Sequence, residues 1–111
     1  MNSISSEDML LLLDKWKAES VLLRIVSTNS IGTFNGIGVL TAFDTETLRV
    51  EDGKLWAWLI RYSSATCSYS DPREAPSANR MENQTKYECC LDLQFPPSAD
   101  QVILMQLKET A

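Results

Sequence analysis

The sequence predicts a mainly β domain, in which an N-terminal α-helix lies on a strongly bent, five-stranded antiparallel barrel and an additional strand pair follows at the C-terminus. Apolar residues recur with a helical period only near the N-terminus, and the remaining chain consists mostly of short apolar runs separated by polar turns. The longest run, Thr33 to Asp44, contains Gly36 and Gly38. A glycine inside a strand marks a sharp bend or the close approach of another backbone. A long bent strand is what a small barrel needs in order to close.

Composition limits the function classes. A chain of 111 residues with 44% hydrophobic and 23% charged residues is typical of one globular domain. Its net charge of -5 argues against broad contact with phosphates, which requires clustered Lys and Arg. The three cysteines, Cys67, Cys89 and Cys90, form a poor disulfide framework, so a reducing cytoplasm is expected. The apolar run Leu10 to Leu13 is too short to cross a membrane, and no membrane association is expected.

The first element is a helix that begins at Ser5 or Ser6 and continues to about Ala18. Glu7 and Asp8 favour its positively polarised N-terminal end. One apolar stripe follows the helical spacing, formed by Met9, Leu12, Leu13 and Trp16. Because Leu10 and Leu11 fall outside the stripe, two interpretations stay open: a helix that lies on a sheet, and a helix that a neighbouring subunit covers.

Five strands follow the helix and are joined by short polar turns. They are expected at Val21–Thr28, Thr33–Asp44, Thr47–Glu51, Leu55–Tyr62 and Ala65–Tyr69. The pair Asp52-Gly53 predicts a two-residue hairpin turn, because both central positions of such a turn favour positive φ.

The last third of the chain changes character. Residues 70–85 contain two prolines and almost nothing apolar, which predicts a mobile surface loop. Lys86 to Phe95 alternates as a half-buried strand does, with Tyr87 and Cys89 among the inward residues. On this pattern the outward residues are Lys86, Glu88, Cys90, Asp92 and Gln94. The segment Gln101 to Lys108 suits either a strand that pairs back or a helix capped by Ser98, and the strand is slightly favoured.

The order of elements over residues 7–69 resembles the Sm-like family, including its Hfq-like branch. The residues that carry the resemblance are Gly38, Leu40, Phe43 and Asp44, which match the family's G-x-[ILV]-x-x-F-D signature. The resemblance implies one domain with a core barrel at 7–69, a loop at 70–85 and a C-terminal hairpin at 86–108. It also implies a homo-oligomeric ring, because the fourth strand of one Sm-like subunit pairs with the fifth strand of the next.

The positions that bind RNA in the family are substituted in this chain. Glu46 stands where an aromatic residue or His stacks a base, and Leu48 stands where an Asn is typical. Ser63 and Ser64 replace the Lys-His or Arg-Gly turn that meets RNA at the ring pore. A carboxylate repels phosphate and two serines supply no positive charge, so we expect the usual RNA site to be lost.

Assembly is the property that the resemblance leaves in place. The strand at Ala65–Tyr69 is expected to be an unpaired edge in a lone monomer, and such edges are either protected or used. Residues assigned to a possible subunit interface are Trp56, Trp58, Tyr62, Cys67 and Tyr69. The C-terminal hairpin at 86–108 is the alternative cover for this edge, and it would keep the protein monomeric.

No pattern of catalytic residues is found. The chain has no His to act as a base or a metal ligand, and it has no nucleophile elbow, P-loop or C-x-x-C motif, so neither an enzyme nor a cofactor or metal site is expected. Asp44 is expected to accept hydrogen bonds from turn amides. Three functions remain: a non-catalytic, homo-oligomeric Sm-like scaffold or binding module; a monomeric protein-interaction module; and an RNA-binding protein with a divergent site.

Overall fold

The computed structural model describes residues 2–70 and 87–107. The elements in chain order are β1 (Asn2–Ser3), α1 (Ser6–Glu19), β2 (Leu23–Thr28), β3 (Thr33–Phe43), β4 (Leu48–Glu51), β5 (Ala57–Ile60), a 3-10 helix (Tyr62–Ser64), β6 (Thr66–Ser70), β7 (Tyr87–Gln94) and β8 (Gln101–Leu107). The mainly β class and the single leading α-helix are confirmed. The predicted mobile loop at 70–85 lies, apart from Ser70, outside the described residues.

All neighbouring strands pair antiparallel, in the order β1-β6-β7-β8-β2-β3-β4-β5. Over the residues that the structure describes, the two end strands β1 and β5 do not pair with each other, so the sheet is not closed into a barrel. The hairpin of β7 and β8 lies between β6 and β2 and keeps these two strands apart. The predicted closed five-stranded barrel is therefore not confirmed.

Strand β3 is bent, as its glycines predict. Its first half, Thr33 to Gly38, pairs with β2, whereas its second half pairs with β4. Val39 of β3 pairs with Glu51 of β4, and Glu51 pairs with Ala57 of β5. Phe34 precedes Val39 by five residues, so in a flat sheet it would lie about 16 Å along the strand direction from the level of Ala57. Yet the Phe34 ring stacks on Trp58 of β5 with 4.6 Å between the ring centroids. The sheet must fold over itself at β3 for these rings to meet.

The two glycines of β3 have different neighbours at this bend. A Cβ on Gly38 would lie 2.5 Å from the carbonyl oxygen of Glu51, so the backbone of β4 approaches closely. A Cβ on Gly36 would lie 2.9 Å from Cζ2 of Trp56. Each glycine thus leaves room for a specific group of the folded-over half of the sheet.

Helix α1 covers the inner face of the sheet. Ser5 caps it, because its Oγ accepts a hydrogen bond from the amide of Asp8 at 3.1 Å. Met9, Leu13 and Trp16 are buried, and the Trp16 Nε1–H donates to Oε1 of Gln106 in β8 at 2.9 Å. The helix therefore lies on the sheet, as the first of the two interpretations has it.

The turn between β4 and β5 differs from the prediction. The amide of Asp52 donates to the carbonyl of Trp56, so three residues form the loop instead of two. Asp52 Oδ1 accepts hydrogen bonds from the amides of Lys54, Leu55 and Trp56, which stabilises the wider loop. Of the two residues predicted to have positive φ, Asp52 and Gly53, only Gly53 does, at 98°.

The C-terminal hairpin is confirmed, because Gln101–Leu107 is a strand that pairs with β7 along its length, and the helical alternative is wrong. The predicted faces of β7 need correction. Cys90 and Asp92, expected to face solvent, are only 6% and 4% exposed, and the Asp92 carboxylate accepts hydrogen bonds from Nε2 of Gln101 in β8. A register shift between Tyr87 and Cys89 also turns Tyr87 towards Arg24 on the outer face, where the two side chains are hydrogen-bonded.

Strand β6 is not an open edge, and the alternative prediction that the C-terminal hairpin covers it is confirmed. It pairs with β7 on one side and with the two residues of β1 on the other. The amide of Ile4 adds a hydrogen bond to the carbonyl of Cys67 at 3.3 Å. Both sides of β6 are therefore occupied within a single chain.

Candidate interaction site

Two turns meet at the N-terminal end of α1. The amide of Ser63, in the 3-10 helix, donates to the carbonyl of Glu46 in the β3–β4 turn at 3.1 Å. The hydroxyl of Tyr62 donates to the carbonyl of Asp44. A cavity of about 340 Å³ lies between these turns and the helix; we call it the turn pocket, and its lining includes Ser5, Ser6, Met9, Thr45, Ser63 and Cys67.

Asp44 holds the first of these turns together. Its Oδ1 accepts hydrogen bonds from the amides of Glu46 and Thr47, both at 2.8 Å. These two amides lower the pKa of the Asp44 carboxyl below its ordinary value. The expected role of Asp44 as an acceptor for turn amides is confirmed, and its charge serves the turn rather than a ligand.

The four substituted family positions do not form one site in the structure. Glu46 and Ser63 are neighbours beside the turn pocket, and Ser64 is exposed. Leu48 is fully buried in the core and is not available to a ligand. Glu46 forms an ion pair with Arg61, whose Nη1 lies 3.9 Å from Oε1 of Glu46. The lining of the turn pocket offers hydroxyl groups and contains no Lys or Arg side chain.

The thiols are poor nucleophiles. Burial raises the pKa of Cys67, which borders the turn pocket, and that of Cys89. Burial raises the pKa of Cys90 to about 11. Because the thiolate is the reactive form, these raised pKa values lower the reactivity of all three thiols. Within residues 2–70 and 87–107, no group of three or more His, Cys, Asp or Glu side chains is placed to hold a metal ion.

A second candidate site is the free side of β5. In the part of the chain that the structure describes, β5 ends the strand order and has β4 as its one neighbour. The amide of Asp52, just after β4, donates to the carbonyl of Trp56, so the main-chain groups of Trp56 face β4. Because these groups alternate in direction along a strand, those of Trp58 and Ile60 also face β4. The N–H and C=O groups of Ala57 and Leu59 then point away from β4. We call this free side of residues 57–60 the β5 edge.

The β5 edge is short, at four residues, but within the described residues it lacks the other usual protective features. Residues 55–60 contain no charged residue, no proline and no glycine. Leu55 is 88% exposed and Leu59 is 68% exposed, so apolar surface borders the unpaired main chain. Natural sheets protect such edges with Lys, Pro, bulges or covering segments, because an open apolar edge pairs with other chains.

A groove of about 260 Å³ runs beside this edge. Its lining comes from β5, from the end of β2, and from the β7–β8 turn with the start of β8; it includes Ser27, Trp58, Leu59, Phe95, Asp100 and Val102. The β5 wall of the groove is mostly apolar, whereas the wall at the end of β2 is polar. Space for an incoming chain therefore exists next to the free main-chain groups.

The predicted interface residues do not form one exposed surface. Trp56 and Trp58 are half-buried and contact Phe34, edge to face and stacked respectively. Tyr62 is buried, and Cys67 and Tyr69 belong to β6, which is paired on both sides. Sequence reasoning missed Leu55 and Leu59, although the alternation along 55–62 already places both on the face opposite the tryptophans.

Comparisons with known proteins give no relative: no family model, no curated protein and no solved structure matches the chain. None of the helices in the described ranges is long and apolar enough to cross a membrane.

Proposed function

We propose that this protein is a non-catalytic protein-interaction module that binds a partner strand along the β5 edge. The observation that carries the proposal is the apolar edge that no other described strand pairs with, together with the outward main-chain groups of Ala57 and Leu59 and the exposed side chain of Leu59. Strand addition supplies affinity through main-chain hydrogen bonds and specificity through side-chain pockets. The groove lined by Trp58 and Phe95 is such a pocket.

A relationship to the Sm-like family is part of this proposal. It is supported by the leading helix, by the bend of β3 and by the close backbone approach at Gly38, the first residue of the signature. The closed barrel of that family would require β6 to reach β2, and here the hairpin of β7 and β8 lies between them.

A homo-oligomeric ring of the Sm-like kind stays a prediction with less support than the edge-binding module. Such a ring pairs the strand equivalent to β5 with the strand equivalent to β6 of the next subunit. In this chain β1 and β7 occupy both sides of β6, so β1 would have to leave first. A mass of several times the 12.5 kDa chain in light scattering would favour the ring.

The edge-binding proposal is tested with a labelled extended peptide. A fluorescein-labelled octapeptide of alternating valine and threonine is titrated with the full chain, and saturable binding at micromolar protein is expected. Leu59→Pro should abolish it, because proline removes an outward N–H while the ladder to β4 stays intact. Leu59→Lys should weaken it through the charged edge, and Leu11→Lys, an equally exposed leucine on α1, should leave it unchanged.

The outcomes separate cleanly once the folded state of each variant is checked by circular dichroism. A peptide that binds wild type and Leu59→Pro equally well contradicts a site at the β5 edge. A monomeric chain that binds no extended peptide at all contradicts the function itself.

A further inference from the structure

We infer that β6 carries a second strand-binding edge, which residues 2–4 of the same chain cover and which an uncharged extended segment with an aromatic side chain takes over when they leave. We call residues 2–4 the strap, and the side of β6 that they cover the β6 edge. The inference does not depend on the β5 edge, because β6 and β5 lie towards opposite ends of the strand order. The strap acts as an autoinhibitory contact, since it holds the place of the partner strand.

The strap covers only part of β6. β7 pairs with all five residues of β6, whereas in the described part of the chain β1 pairs with two of them, Tyr69 and Ser68. The amide of Ile4 adds a hydrogen bond to the carbonyl of Cys67 at 3.3 Å. A separate strand that pairs with β6 along its whole length would therefore gain more main-chain contact than the strap has.

Helix α1 does not need the strap in order to stay in place. Ser5, which directly follows the strap, caps the helix with its own side chain, and the buried Trp16 is hydrogen-bonded to β8. In the strap itself Ser3 is exposed and Ile4 is only half-buried. Segments with few buried contacts open at a lower free energy than the core does. The strap can therefore leave β6 by rotation about Ser5 while α1 remains on the sheet.

The space around Ile4 indicates which side chain fits the β6 edge best. Ile4 packs against the core and borders two cavities, the turn pocket of about 340 Å³ and a second cavity of about 310 Å³. The second cavity is also lined by Ser3, Asp8, Leu12 and Tyr69. Empty space beside an apolar side chain deprives it of packing contacts. A larger, aromatic ring at the position of Ile4 would fill part of this space and make contacts that Ile4 does not make.

Charge disfavours an acidic partner at the β6 edge. The described lining of the two cavities contains no Lys or Arg, and Asp8 borders the second one. The strap, whose place the partner takes, carries no charged side chain, and the net charge of the chain is -5. The partner is therefore an uncharged extended segment that places an aromatic residue opposite Cys67.

Native-state hydrogen exchange tests whether the strap opens by itself. Because the amide of Ile4 donates to the carbonyl of Cys67, the main-chain groups of Cys67 face the strap and those of Ser68 face β7. The Cys67 amide should exchange roughly tenfold faster than the Ser68 amide, or more. Ile4→Phe should slow the exchange of Cys67 and Ile4→Pro, which removes the donor to Cys67, should accelerate it. Equal rates for the two amides would mean that the strap opens only with the sheet, and would overturn the inference.

A labelled peptide tests the occupant. A fluorescein-labelled heptapeptide of threonine with one central phenylalanine is titrated with the full chain carrying Leu59→Pro, which blocks the β5 edge. In that background Ile4→Pro should bind it saturably at micromolar protein, and the chain with Ile4 should bind roughly tenfold more weakly. Ile4→Phe, which fills the cavities from within the chain, should bind more weakly again. The all-threonine heptapeptide should bind Ile4→Pro roughly tenfold more weakly than the phenylalanine peptide.

Each outcome decides one part of the inference, once circular dichroism shows that the variants are folded. Equal binding to Ile4→Pro and Ile4→Phe, or no binding to either, contradicts a site at the β6 edge. Equal binding of the two peptides contradicts the aromatic occupant. A mass above 12.5 kDa for Ile4→Pro alone in light scattering would assign the opened edge to a second copy and overturn the separate segment. The function proposed for the β5 edge is untouched by these results, because Leu59→Pro removes that edge from the titration.

Discussion

Gly38 carries the sharpest constraint on a single residue in this fold. It lies where β3 passes from β2 to β4, and the position of a Cβ is taken by the carbonyl oxygen of Glu51, a backbone atom. Backbone atoms of a paired strand cannot rotate away as a side chain can. A side chain at Gly38 would therefore push β4 away from β3 at the bend.

Substitution of Gly38 by Ala should lower the free energy of unfolding by about 1–3 kcal/mol, the usual cost of overpacking. Gly32→Ala is the matched control, because nothing lies within 4 Å of its Cβ position and its φ is not in the left-handed region. That control should stay within about 0.5 kcal/mol of wild type. Urea unfolding measures both, and equal stabilities of the two variants would contradict a close approach at Gly38.

Single residues also show where sequence reasoning succeeds and where it fails. The role of Asp44 was predictable, because it is a short acidic residue in a turn and its hydrogen-bond donors are only two and three residues further along the chain. Cys90 and Asp92 were assigned to the wrong environment, because an alternating pattern separates the two faces of a strand but does not record what covers each face. Local hydrogen bonding can be predicted from a sequence, and tertiary burial of a polar face cannot.

Among the elements, α1 was the most predictable. Its apolar stripe and its Ser cap are both local signals, and the buried residues Met9, Leu13 and Trp16 follow the predicted spacing. The partner of Trp16 was not predictable, because Gln106 lies 90 residues away. The prediction for the β4–β5 loop was wrong although the interactions that decide it are local. Asp-Gly predicts a tight turn, but three backbone amides donate hydrogen bonds to the Asp52 side chain and favour a wider loop.

Docking of α1 should depend on Trp16. Its ring is fully buried and its Nε1–H bonds to β8, so Trp16→Ala should lower the free energy of unfolding by about 3–5 kcal/mol. Leu11→Ala on the same helix removes a side chain that is 68% exposed and should change it by less than about 0.5 kcal/mol. Chemical denaturation at neutral pH compares them. Similar losses in the two variants would mean that α1 is covered by something other than the sheet.

At the scale of the whole molecule, strand order decides what the fold can do. The meander β2-β3-β4-β5 was predictable, because each of its strands pairs with the next in sequence. The insertion of β7 and β8 between β6 and β2 is a long-range choice that no local pattern records. That insertion covers one side of β6 and leaves the four-residue β5 at one end of the strand order among the described residues. The proposed site therefore lies on a strand whose tryptophans the sequence had already assigned to a possible subunit interface, but it uses Leu59 and the main chain instead of the rings.

The charge distribution of the whole molecule leads to the last prediction. The net charge is -5, the chain has no His, and the turn that would meet RNA in the Sm-like family presents Glu46 and Ser63 with one exposed Arg61. Binding to nucleic acid gains most of its affinity from clustered cations that release counterions. We therefore expect no salt-sensitive binding of labelled A-rich or U-rich RNA at micromolar protein, measured by fluorescence anisotropy at low and moderate salt. Tight binding that weakens steeply with salt would contradict this and would assign the turn pocket to RNA.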